Sequence, residues 1–254
     1  MSLRFEFIGS GSKGNATLIQ YEQTLIQVDM GVSLKRLNEG LAALGKSIED
    51  ISAVFITHEH HDHVGTLPML KKRGVKIYAT RGTVPLQTDV ILEPKTPLRI
   101  GDIDVLPFSS SHDAYDPLNY VFSFGEDKLA YVTDTGTIKK ENKKLLKDCT
   151  YYLFESNYDK EMLRLSGRPA TLQSRIRGRH GHLGNEQSAS YMCEFLGPHT
   201  KKIYLAHLSE DCNRPEIALK TYQEIFESKG VSFPMEKVIP LKQWERVEGK
   251  GDED

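Results

Sequence analysis

Residues 58 to 63 read His58-Glu59-His60-His61-Asp62-His63, four imidazoles and two carboxylates in six residues. Imidazole and carboxylate are ligands for first-row divalent metals, so this bunching answers to metal binding better than to packing. The alternative is a solvated polar loop, but the apolar run Val54 to Ile56 leads straight into the cluster and reads as a buried strand. If the loop is extended, His58 and His60 lie on one side and can aim at one ion, while Asp62 and His63 come a turn later and can serve a second. Further along, His112, Asp134 and His207 each follow a strand-like segment, Val105 to Ser111, Tyr131 to Thr133 and Ile203 to Ala206. Taken singly, each is explained equally well as a solvated loop residue.

The elements that must position these groups follow from periodicity and turn chemistry. Residues 3 to 8 alternate as a strand, and Gly9-Ser10-Gly11-Ser12-Lys13-Gly14-Asn15 is a tight loop without the spacing of a nucleotide-binding fingerprint. That loop is either a connector or a place where backbone amides approach a phosphate. Ala16 to Tyr21 and Thr24 to Val28 form a hairpin ending at Asp29. Ser33 caps a helix through Leu34, Leu37 and Leu41 that Gly45 closes. A helix over Val64 to Lys72 follows the histidine cluster and ends at Gly74. Strands are expected at Val75–Ala79, Leu98–Ile100, Ile103–Phe108, Tyr120–Phe124, Leu129–Val132, Thr150–Phe154 and Lys202–Ala206, and helices at Asn185–Leu196 and Pro215–Ser228. No linker divides the chain, so one domain is expected over 1–248, with 249–254 as a frayed acidic tail.

The totals set bounds. The 254 residues suffice for a substantial core, and 39% hydrophobic with 27% charged residues is ordinary for a soluble globular protein. No apolar run approaches the ~18 residues of a membrane span. The opening Met-Ser-Leu-Arg-Phe-Glu-Phe has no signal-peptide profile, and the three scattered cysteines, Cys149, Cys193 and Cys212, suit reduced thiols and a cytoplasmic setting. A net charge of −2 supplies no global field for nucleic acid, so such binding requires a local basic patch.

Thr57-His58-x-His60-x-Asp62-His63 resembles the signature of the metallo-β-lactamase superfamily. The resemblance implies an αββα sandwich, two mixed β-sheets flanked by helices. It also implies His58, His60 and His112 on one ion, Asp62, His63 and His207 on another, and Asp134 bridging both, with Asp62 counted among the catalytic groups. Zn and Mn both suit such a set. Asp29 would support the metal loop from behind; a helix N-terminal anion is the alternative. His61 and His199 fit no ligand position. Phe154-Glu155-Ser156-Asn157-Tyr158-Asp159 and Gly181-His182-Leu183-Gly184-Asn185-Glu186 look like the Glu and His motifs of the ribonuclease Z and phosphodiesterase branch, in which the His assists the leaving oxygen and the Glu orients it. Across nearly the whole chain the pattern is similar to the YycJ/WalJ family of bacterial metallo-hydrolases. It departs from that family at Gly184, where Ser is more common, and at Cys212, where Asn is common.

Met162 to His182 contains no Asp or Glu but holds Arg164, Arg168, Arg175, Arg177 and Arg179. The guanidinium fork binds two phosphate oxygens at once, so this strip, with Asn185, is read as the contact for a polyanion. A solvated insertion is the alternative. The family likeness implies a DNA exonuclease acting from 5′ ends through a dinuclear-metal hydroxide, with DNA a better partner than RNA. A phosphodiesterase for cyclic or dinucleotides shares the same groups. A thioester or lactone hydrolase would need neither His182, Glu155 nor the strip, and a metal-bound scaffold would not need the full ligand set.

Overall fold

The computed structural model describes residues 3–84 and 87–251. Its strands form two seven-stranded mixed sheets. The chain divides into two compact units, Met1–Ser109 with Ala114–Glu126 and Gln243–Asp254, and Ser110–Asp113 with Asp127–Lys242.

In the first unit, β1 (Leu3–Gly9), β2 (Ala16–Tyr21) and β3 (Thr24–Val28) run antiparallel, as the alternation and the Glu22 turn dictate. Helix α1 (Leu34–Ala43) begins where expected, with the Arg36 N–H donating to Ser33 Oγ at 3.4 Å. β4 (Ala53–Phe55), β5 (Ile77–Ala79) and β6 (Val90–Ile91) then add in parallel. β4 and β5 are buried throughout, which is why their residues are apolar without alternation. The helix expected over Val64 to Lys72 is instead two short ones, α2 (His61–Val64) and α3 (Leu67–Lys71). Pro68 has no N–H to extend a helix through Gly65 and Thr66, and it sits in the first turn of α3, where none is needed. Asp62 and His63 are therefore helical, not part of an extended loop. β7 (Leu98–Ile100), β8 (Ile103–Ser109) and β9 (Leu118–Phe124) form an antiparallel ladder. Phe55 of β4 packs against Tyr120 and Phe122 of β9 at 5.6 and 6.0 Å between ring centroids.

The second unit is built on β10 (Asp127–Val132), β11 (Tyr151–Glu155), β12 (Lys202–Ala206) and β13 (Val238–Pro240), all parallel. The arginine-rich strip folds into α4 (Lys160–Leu165), capped by Asp159, and α5 (Ala170–Arg177). Gly167 and Pro169 break its period and hid both helices from the sequence, although Leu163, Leu172 and Ile176 pack together with Tyr158 and Cys212. α6 (Asn185–Phe195) and α7 (Pro215–Ser228) stand where their capping residues indicated. No described helix is long and apolar enough to cross a membrane.

The C-terminal segment is a correction. Val247–Lys250 is a strand antiparallel to β1, pairing Phe5 with Gly249 and Arg4 with Lys250, so 249 and 250 are not tail; 252–254 lie outside the described residues. The free edge of β1 offers ladder partners that outweigh the low strand propensity of Gly249. Arg246 ion-pairs with Glu6 of β1, and Arg4 with Glu248 at 2.7 Å. Glu6 is buried, and burial pushes its carboxyl up to about 7 in spite of Arg246. Its folded pKa thus lies above the unfolded 4.5, so its contribution is most favourable below that value and is lost as pH rises through 7. Glu6→Gln is expected to be about 1–2 kcal/mol more stable than the parent protein at pH 8, with the gap narrowing at pH 5, as read by thermal unfolding. A variant less stable at pH 8 than at pH 5, relative to the parent, would contradict this account.

Candidate metal centre

In the first unit the histidine cluster sits at the carboxyl ends of parallel strands. The register sets Val28 of β3, Phe55 of β4 and Tyr78 of β5 level, so residues 29, 57 and 80 emerge at one edge. Asp29 turns back with φ +59°, a left-handed conformation that carries its carboxylate under the next strand end. There it accepts from the Thr57 N–H at 2.8 Å, from Thr57 Oγ1 at 2.9 Å and from His63 Nδ1 at 2.8 Å. The Nδ1 proton on His63 is assigned because a carboxylate only accepts, which directs Nε2 as the ligand atom. His58 lies against His60 and His63, with ring centroids 4.6 and 4.1 Å apart, and His63 Nε2 is 3.5 Å from Asp62 Oδ2. Asp29 is fully buried, which raises its pKa above the usual carboxylate range against the pull of His63.

Backbone stitches hold this loop. Asn15 N–H donates to Asp62 O and Met30 N–H to His63 O, both at 2.7 Å, and the Asn15 amide nitrogen lies 3.2 Å from Asp62 Oδ2 and 3.0 Å from His63 Nε2. Gly31 passes so close that a Cβ there would meet Asp62 O at 1.7 Å, which leaves room only for glycine. Asn15 and Thr57 thus belong to the site, beyond the histidines and carboxylates its motif names. Asn15's position after a glycine-rich turn was the available signal.

In the second unit the same device recurs. Val132, Phe154 and Leu205 are in register, and Asp134, Glu155 and His207 follow at the carboxyl edge, where ligand sites of parallel sheets form. Asp134 and His207 again take positive φ, +49° and +57°. Glu155 is fully buried. Its Oε2 accepts from the Thr135 and Leu183 N–H groups at 2.8 and 3.2 Å, and its Oε1 lies 2.7 Å from His182 Nδ1 and 3.3 Å from His207 Nδ1. Burial pushes this carboxyl up, but His182 first, and His207 with it, hold it below its usual range. His112 donates from Nδ1 to Gly181 O at 3.1 Å, and its Nε2 is 3.8 Å from Asp134 Oδ1. Burial pushes His112 down, toward the neutral ligand form, although Asp134 pulls the other way. Asp134, Glu155, His182 and His207 each offer one donor atom, all four within 4.8 Å of one another. Glu155 and His182 engage each other within that group, which leaves Asp134 and His207 as its members suited to a divalent first-row ion.

The expected phosphate contacts fare unevenly. Arg164, Arg168 and Arg175 are ion-paired with Glu161, Asp211 and Asp113 at 2.5, 3.0 and 2.5 Å. Among the described residues no carboxylate engages Arg177 or Arg179, and both are exposed. Asn185 is buried, exchanging hydrogen bonds with Asn213 at 3.0 and 2.9 Å and accepting from Ser156 Oγ at 2.6 Å, so it is a structural tie and not a phosphate ligand. Gly184 has its own reason, since a serine Cβ there would stand 2.8 Å from the Tyr158 ring. His199 is exposed and pairs with Asp148 at 2.7 Å.

Residues 26–207 match the β-lactamase superfamily domain family. The chain is 35% identical over 241 residues to Exodeoxyribonuclease YycJ of Bacillus anthracis, covering 91% of each. It is 34% identical over 234 residues to Exodeoxyribonuclease WalJ of Streptococcus pneumoniae, covering 87% of each. The metallo-β-lactamase fold protein YhfI from Bacillus subtilis superposes with a TM-score of 0.73 over 98% of this chain and 100% of that one, at 17% identity. The two mixed sheets with their flanking helices are thus the αββα sandwich that the motif implied. On fold and on sequence over nearly its whole length, the chain belongs to the metallo-β-lactamase superfamily, among the YycJ/WalJ-like proteins.

Proposed function

We propose that this protein is a metal-dependent nuclease, a DNA exonuclease acting from 5′ ends, with His58, His60, Asp62, His63, His112, Asp134 and His207 as ligands of two divalent ions, Zn or Mn. The observation that carries the reading is the Glu155–His182 pair, 2.7 Å apart beside Asp134 and His207, in a chain similar to two exodeoxyribonucleases along most of its length. Divalent ions held there would supply Lewis-acid charge to phosphoryl oxygens and acidify a water. The protein's own groups do the rest. Asp29 and Gly181 O fix the Nδ1 protons of His63 and His112, so that Nε2 is the donor atom of each. Glu155 Oε1 accepts a hydrogen bond from the Nδ1–H of His182, which orients the ring so that its Nε2–H can pass a proton to the departing sugar oxygen. Arg177 and Arg179, five and three residues before His182, hold flanking phosphates.

A second reading, a phosphodiesterase for cyclic or dinucleotides, is favoured by one feature. Three of the five arginines are tied to carboxylates, which shortens the surface for a polymer. Metal-supplemented digestion of end-labelled single- and double-stranded DNA and RNA, beside cyclic nucleotides and bis-p-nitrophenyl phosphate, separates the two. Immediate release of a 5′ label together with a ladder from 3′-labelled DNA supports the nuclease acting from 5′ ends, and turnover of cyclic nucleotides alone supports its rival.

Three variants test the roles. Asp134→Ala is expected to abolish metal-dependent hydrolysis, and retained activity in the purified variant would remove the scheme. His182→Ala should keep its metal content but lose about 10²- to 10⁴-fold in turnover; loss of metal would make His182 a ligand. Asp29→Ala should weaken metal binding by about 10- to 100-fold in a calorimetric titration, and unchanged affinity would deny Asp29 its orienting role.

A further inference from the structure

Tyr115 is the most exposed large hydrophobic side chain among the described residues, 72% accessible, yet its backbone is clamped. Its N–H donates to both oxygens of the Glu59 carboxylate, at 2.9 and 3.1 Å. Glu59 is the residue between His58 and His60. The Tyr115 carbonyl accepts from Thr83 Oγ1 at 3.0 Å, and that buried hydroxyl lies 2.6 Å from the hydroxyl of buried Thr80. Gly82 closes the third side. A Cβ on it would stand 3.5 Å from Tyr115 Cβ and 3.2 Å from Asp116 Oδ2, and Asp116 itself takes φ +46°. Two residues further on, the Leu118 N–H donates to Thr57 O at 2.8 Å.

The Tyr115 main chain is thus fixed to the histidine loop and to the turn after β5, while its ring has water on most of its surface. A ring that served only packing would be turned inward, and one on a free loop would not have both its N–H and its C=O engaged. An aromatic face held rigidly in water beside metal-binding residues is a stacking surface. Tyrosine has only two side-chain torsions to immobilise, so stacking on it costs little entropy. Every nucleobase has a π-face, so stacking grips nucleic acid without reading its sequence, as an exonuclease requires. We propose that Tyr115 stacks on a nucleobase of the substrate and sets the terminal nucleotide against the histidine loop, with Glu59 as its positioning residue. This rests on the nuclease reading above.

The test compares KM for two 5′-labelled oligonucleotides of equal length, one with all its bases and one abasic at its two terminal positions. For wild-type protein the abasic substrate is expected to have a KM larger by roughly 5- to 150-fold, the range of base–aromatic stacking. In Tyr115→Ala that ratio should fall toward one. Tyr115→Phe and Tyr115→Trp should keep it, and Tyr115→Leu, apolar but without a π-face, should lose it. Metal content equal to the wild type's checks that the variants are folded, and Tyr115→Leu stands in should the alanine variant fail that check. A wild-type ratio near one, or the same ratio in wild type and Tyr115→Ala, overturns the stacking role and leaves the nuclease reading intact. Wild-type protein that cleaves neither oligonucleotide overturns the nuclease reading, and this inference falls with it.

Discussion

A fully buried carboxylate that holds imidazole Nδ1 protons is the interaction on which the rest of each half of this protein depends. Asp29 does it for His63, and Glu155 for His182. An uncompensated ion at such depth would cost several kcal/mol. Each of these carboxylates is instead surrounded by donors: the Thr57 N–H and hydroxyl for Asp29, and the amides of Thr135 and of Leu183, in the loop before α6, for Glu155. The two differ in outcome. Burial dominates at Asp29 and raises its pKa, whereas two facing imidazoles outweigh burial at Glu155 and lower it. The first faces one imidazole, the second faces two.

Parallel pairing explains why these groups meet. Adjacent parallel strands in register end at one level, so the residues that follow them share an edge whatever their distance in sequence. Asp29, Asp134 and His207 then turn back in a left-handed conformation, uncommon for residues other than glycine and costing roughly 1 kcal/mol or more each. The surrounding hydrogen bonds hold the turn in place. The close approach of Gly31 to Asp62 belongs to the same economy of space, since the metal loop lies on backbone and leaves no volume for a side chain.

Charge in the second unit is less free than composition implies. The strip from Met162 to His182 has no acid of its own, yet Asp113, Glu161 and Asp211, all outside it in sequence, neutralise three of its arginines. The positive charge open to a phosphate is concentrated at Arg177 and Arg179.

By itself the sequence determined which residue types could bind metal, the family they resemble, and most of the strands and helices. These are local facts: the apolar runs before Thr57 and His207, the Ser33 cap and the Pro215 helix start are each written within a few residues. Tertiary structure alone decided the rest. The sequence placed Asn185 as a phosphate contact, but Asn213 and Ser156, 28 and 29 residues away, take its amide. It read 249 and 250 as tail, but the free edge of β1 makes them strand. It gave no sign that Glu59, between His58 and His60, holds the backbone of Tyr115. Local patterns record which face of a segment is buried; they do not record which distant donor will meet a given acceptor, because that partner is chosen by how the strands pair.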